Sequence, residues 1–203
     1  MKSLAALILA LPGFFQLSAQ KTKSDVFNST DIVWYGLDFS EVKLVGSEGF
    51  TNPPEIKNRY FNSWNQLFVT ERDKYNLQET FKKKNVEYNL DVVEERNKLP
   101  NVEELVINTS YTLDEAKIPD MLKEYSTKET EGIGLVFIME AFNKTAEAAT
   151  MFVVFFDITA KTPLLVKKMG AKPGGMGIRN YWAGAVFAVL EKSKKEYPKW
   201  MKG

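Results

Sequence analysis

The chain contains neither cysteine nor histidine. Without cysteine it has no disulfide, no thiolate metal ligand and no residue for the acyl anchor of a bacterial lipoprotein. Without histidine it lacks the commonest general base and the commonest zinc ligand. Ser-His-Asp and Cys-His arrangements are therefore impossible within it. An excess of either charge is also missing, with 27 Lys and Arg against 26 Asp and Glu. That balance gives no sign of the concentrated basic face that nucleic acid requires. The lysines at 192, 194, 195, 199 and 202 are diluted by Glu191 and Glu196. They suit a solvated helix end, where cations face the negative pole of the helix dipole. No apolar run is long enough to cross ~30 Å of hydrocarbon.

One short apolar run stands at the N-terminus. Lys2 precedes Leu4 to Phe15, which Pro12 and Gly13 interrupt, and Leu17-Ser18-Ala19-Gln20 follows. A positive residue, a short apolar core and small residues near a cut site predict a secretory signal peptide over 1–20, cleaved after Ala19 or Gln20. The expected location is periplasmic or extracellular. A cysteine-free exported chain points to a Gram-negative envelope, so the Asn-X-Ser/Thr triplets at Asn28, Asn108 and Asn143 are read as chance matches. Residues 21–203 are expected to form one α/β domain. A chain of that length buries roughly 70% of its unfolded surface and needs neither disulfide nor metal. With 44% hydrophobic and 26% charged residues, the composition is globular.

Residues 21–30 are polar and read as a mobile arm. Val33, Tyr35, Leu37 and Phe39 alternate with Ile32, Trp34, Gly36 and Asp38, and both sets are largely apolar. This predicts a strand covered on both faces, broken near Ser40-Glu41. Asn52-Pro53-Pro54-Glu55 is a helix start with cap, proline and capping glutamate. Ile56, Tyr60, Trp64, Leu67, Phe68 and Tyr75 then mark one apolar face of a long helix. Asn76 caps a short helix to Lys84. Val86, Tyr88, Leu90 and Val92 alternate as a half-buried strand, and 94–101 reads as a loop. Leu105 to Ile107 predicts a brief strand, and Ile118-Pro119-Asp120 opens a short helix through Tyr125. Strands at 132–142, 151–156 and 164–169, joined by short turns, predict a three-stranded antiparallel meander. Ile178, Trp182, Ala185, Val186, Val189 and Leu190 trace a final amphipathic helix.

The expected fold is therefore α/β (α+β): a single mixed β-sheet ending in the meander, packed against a long N-terminal helix and a C-terminal helix. This order, together with the phrase Phe155-Phe156-Asp157-Ile158-Thr159-Ala160-Lys161, resembles a group of bacterial envelope domains. These are the periplasmic domain of the curli secretion subunit CsgG, the N-terminal domain of TolB and the lipoprotein activators of penicillin-binding proteins. The segment Gly174-Gly175-Met176-Gly177-Ile178-Arg179-Asn180-Tyr181-Trp182 is similar to the ends of other exported proteins of no assigned activity. The resemblance implies a non-catalytic role in binding or assembly of another envelope component. Membrane tethering is not implied, because the chain lacks the cysteine of the lipoprotein members.

The loop before the final helix is the leading candidate site. Gly174, Gly175 and Gly177 leave backbone N–H groups free to face outward, and Lys172, Arg179 and Asn180 add polar groups at a helix N-terminus. That set suits a phosphate or carboxylate, although it is neither a Walker loop nor a dinucleotide fingerprint. The same residues also suit a strand-to-helix connection that needs unusual backbone angles. Asp38 and Asp157 read as turn or cap residues, and Glu140 as the partner of Lys167 or Lys168 across the meander. A carboxylate enzyme would require Asp38, Asp157 or Glu140 to meet Arg179 in a cleft. No catalytic residue, metal ligand or cofactor is assigned. The expected partner is an envelope protein. The alternative is a small-molecule or lipid carrier with an apolar cavity between sheet and helices, lined by some of Trp34, Tyr60, Trp64, Phe152, Phe156 and Trp182.

Overall fold

A computed structural model describes residues 20–202. The expected leader, apart from Gln20, lies outside them. The described chain is a mixed α/β fold built on a seven-stranded sheet. Its strands are β1 (Asp31–Asp38), β2 (Lys43–Val45), β3 (Asn85–Tyr88), β4 (Val106–Ile107), β5 (Ile133–Asn143), β6 (Ala148–Asp157) and β7 (Thr162–Ala171). β5, β6 and β7 form the expected antiparallel meander. β1 and β2 both pair in parallel with the other side of β5, β1 along Gly134–Ile138 and β2 along Ala141–Asn143. β3 continues the sheet beyond β1, and β4 continues it beyond β2. The interruption expected near Ser40 is the break between β1 and β2, and it leaves a notch in the outer row between β3 and β4.

Helices cover both faces. They are α1 (Lys23–Asn28), α2 (Pro53–Glu55), α3 (Phe61–Thr70), α4 (Leu77–Phe81), α5 (Asp91–Arg96), α6 (Val102–Leu105), α7 (Ile118–Lys123) and α8 (Gly177–Trp200). Asn52 caps α2 by accepting from the Glu55 N–H at 3.2 Å, as its sequence predicts. α2 runs into α3 through one π-helical turn, Ile56–Tyr60. The wide turn puts Ile56 and Phe61, five residues apart, into the core together. It also leaves Tyr60, expected on the apolar face, half-buried.

On one face of the sheet Trp34 packs against Phe68 and, edge-on at 4.9 Å, against Phe137, while Phe142 stacks on Trp182 of α8 at 4.6 Å. On the other face Tyr35 and Tyr125 flank Phe156. The aromatic rings considered for a carrier's cavity thus fill the core, Tyr60 excepted.

Three expectations fail locally. The arm at 21–30 contains α1, whose Val26 is fully buried. The strand expected over 86–92 ends at Tyr88, and the polar stretch after it forms α5. Leu90 and Val92 are buried from a turn and a helix, not from alternate positions of a strand. Tyr75 is buried but lies beyond the end of α3, in the turn before α4.

α1 is held by a lysine. Lys83, only 6% exposed, donates from Nζ to the carbonyls of Val26 and Ser29, and Tyr197 Oη donates to the Val26 carbonyl at 3.1 Å. Burial pushes the Lys83 ammonium down from 10.5 to about 8, against the pull of Asp31. A lysine whose folded value is lowered binds fewer protons than the unfolded chain between those two values, so its contribution to stability rises with pH across that window. Unfolding free energy measured from pH 8 to 10.5 is expected to climb more steeply, or fall less, in the native protein than in Lys83→Met. Parallel pH profiles would refute this.

Candidate functional site

The residues singled out by sequence fall in different places. The glycine-rich segment leaves β7 after Ala171 and folds back along α8. The Gly174 N–H donates to the Tyr181 carbonyl at 3.1 Å. A Cβ built on Gly184 would stand 2.1 Å from the Gly174 carbonyl oxygen, so the loop lies directly on the helix. Gly175 takes φ +119° and Gly177 φ +77°, the backbone angles that the strand-to-helix reading anticipates. Arg179 is turned inward: its Nε donates to Ser63 Oγ at 2.7 Å and its carbonyl accepts from Trp64 Nε1 at 2.8 Å. Its Nη1 donates to Asn180 Oδ1 at 3.0 Å. Lys172 is exposed. Gly175, Gly184 and Arg179 therefore serve close packing between the loop, α3 and α8, whereas Gly177 supplies only its backbone angle.

The three carboxylates are not brought together. Asp157 stands opposite Ile133 and Asp38 opposite Ile138, which separates them by about 16 Å along β5. Asp157 accepts from the Thr159 N–H at 2.9 Å and from Lys21 Nζ at 3.2 Å, the turn role expected of it. Asp38, fully buried, accepts from Arg96 Nε at 2.8 Å and Tyr125 Oη at 2.6 Å on one oxygen and from the Ser40 N–H on the other. Burial and the Asp38 charge hold the Tyr125 hydroxyl well above its ordinary value, so it stays a donor. Glu140 occupies a bulge in β5, and its Oε1 accepts from Lys168 Nζ at 2.7 Å and from the Leu113 N–H at 2.8 Å. Lys168 is thus the partner and Lys167 is not. Arg179 meets none of the three.

No protein-family model matches the chain, and no curated protein matches it.

Two features that the sequence did not single out remain open to a ligand. The first is the outer edge of β7. This strand of 10 residues pairs with β6 alone, and among the described residues no second strand covers its other side. Its sequence has no acidic residue, and Lys167 has no ion-pair partner among the described residues.

The second is the notch between β3 and β4. There the main chain of β1 is satisfied by side chains. Asn65 Oδ1 accepts from the Leu37 N–H at 2.6 Å and Asn97 Oδ1 from the Phe39 N–H at 2.6 Å, while both amide nitrogens donate to the Leu37 carbonyl. Above them opens a cleft of about 400 Å³, walled by Lys57, Asn58 and Asn62 on the π-turn side and Glu94 and Lys98 on the α5 side. The clue in the sequence was Gly36, whose lack of a side chain admits Asn65 and α5 to the strand. Nothing in the spacing of the asparagines marked them as ladder substitutes.

Proposed function

We propose that this protein is an exported, non-catalytic envelope domain that binds an extended, acidic segment of another envelope protein along the free edge of β7. The open edge carries the reading. Beyond Pro163, which has no N–H, it offers a row of main-chain donors and acceptors of the kind that strand addition uses. Charge selects the occupant. A second copy of β7 laid antiparallel would set lysines against lysines, whereas an acidic strand would neutralise Lys167 and the exposed Lys172. The resemblance to envelope assembly domains and the leader-like N-terminus support the cellular setting. Among the described residues no helix is long and apolar enough to cross a membrane.

The test is a synthetic decapeptide alternating valine and glutamate, titrated into isotope-labelled protein. Amide shifts and new hydrogen-exchange protection are expected along β7, and Lys167→Glu should weaken binding by about tenfold, a loss of roughly 1.4 kcal/mol. The same peptide with lysine in place of glutamate should bind poorly. Equal binding of both peptides, no protection along β7, or dimerisation through β7 would each overturn the proposal. Export is checked by the first residue of the protein isolated from cells, expected to be Gln20 or Lys21; a retained Met1 would refute it.

A further inference from the structure

We infer that the notch between β3 and β4 is a binding site for a neutral saccharide, separate from the β7 edge and independent of any partner there. The site has a built floor. Asn97 is 8% exposed, and of its two amide hydrogens only one is used among the described residues, towards the Leu37 carbonyl. The other is left as a donor at the base of the cleft that Asn97 lines. Asn65, beside it, is fully buried and spends both amide hydrogens, on Leu37 and Phe61.

Three of the polar wall residues are unspent. Asn58 and Asn62 stand on the π-turn side, exposed and, among the described residues, without a hydrogen-bond partner for their side-chain amides. Glu94 projects from α5 opposite them, exposed and outside every ion pair among the described residues. Each amide presents one acceptor and two donors, and the carboxylate only acceptors. A sugar's neighbouring hydroxyls, each both donor and acceptor, match such an interleaved set.

Charge excludes the simpler ions. Lys57 donates its ammonium to the Pro100 carbonyl at 2.7 Å, and Lys98 is paired with Glu95. Lys98 is neutralised by Glu95 from outside the cleft and Glu94 offsets Lys57, so the site favours neither an anion nor a cation. Phe61 is the one hydrophobic side chain among the residues lining the cleft, too little apolar surface for a lipid chain. An added peptide strand is excluded because the β1 ladder groups here are already taken by Asn65 and Asn97, so the notch offers a cluster of side-chain groups and not an edge. The volume of about 400 Å³ lies within the range of small-molecule sites and is open on one side, which suits one or two sugar rings.

The test is a panel of neutral mono- and disaccharides added at millimolar concentration to isotope-labelled protein, following the side-chain amide signals of Asn58, Asn62 and Asn97. At least one sugar is expected to shift all three. The double variant Asn58→Ala/Asn62→Ala and the single variant Glu94→Gln should each weaken it at least tenfold. Thermal melting of both variants should match the native protein, because the altered side chains are exposed. If a variant melts early, the native protein's amide shifts alone decide the matter. No shift from any sugar, or shifts unaltered by the substitutions, would overturn the site assignment. So would stronger shifts from citrate, spermidine or a capped dipeptide than from every sugar.

Discussion

Gly36→Ala is expected to lower the unfolding free energy by about 3–5 kcal/mol, combining backbone strain, overpacking and a strained buried amide. Gly36 sits at the bulge where β1 shifts register against β5, with φ +110°. A Cβ there would stand 2.5 Å from Asn65 Oδ1, 2.7 Å from a Val93 methyl and 2.9 Å from a Leu90 methyl. The first of these atoms is the acceptor for the Leu37 N–H, so the methyl group would press on the substitute ladder as well as on the core. Gly177→Ala provides the comparison, since its φ of +77° carries the conformational strain while its Cβ would meet nothing within 4 Å. Denaturant unfolding of the two variants separates strain from crowding. A Gly36→Ala cost no larger than that of Gly177→Ala would refute the account.

Arg96→Met should cost about 3–5 kcal/mol, the penalty for leaving a buried carboxylate without its cation. The Arg96 side chain is 8% exposed and reaches Asp38 through Nε, Glu124 through Nη1 at 2.7 Å and Ser40 Oγ through Nη2 at 3.1 Å. Burial pulls the guanidinium down, but Asp38 and Glu124 outweigh it and hold Arg96 above its ordinary value. The interaction with Glu124, which is 66% exposed, adds little. The effect is therefore carried by Asp38. Asp38→Asn alone should also be costly, and the double variant should cost less than the sum of the two, because neither charge is then stranded. Additive losses in urea unfolding would show that the pair does not act as a unit.

The cleft and the pair depend on contacts that only folding reveals. The meander was legible because short turns separate three apolar runs, and two strands joined by a tight turn have little choice but to pair antiparallel. The cap at Asn52 was legible because capping needs only residues close in sequence. The stretch from 86 to 96 was not. Val86, Tyr88, Leu90 and Val92 alternate as a strand would, yet β3 runs out at Tyr88, where the Asn89 N–H makes a last bond to the Trp34 carbonyl. Beyond that point Asn65 and Asn97 take the ladder's place, and the chain is free to turn into α5. The N-terminal segment misled for a related reason: it is polar, but a single buried valine and Lys83, from the connection after α4, dock it.

Composition and patterns within a few residues were enough for the class of the fold, the meander, the principal helices and the exclusion of imidazole and thiol chemistry. Tertiary structure alone decided which polar groups are spent and which are open. Asp38, Asp157, Glu140 and Arg179 were plausible functional residues until their partners, the farthest of them 28 to 136 positions away in the chain, were seen to hold them. The β7 edge and the amide-lined notch became visible only with the order of the strands, because an unpaired edge or a missing ladder partner is a property of neighbours in space and leaves no periodic trace along the chain.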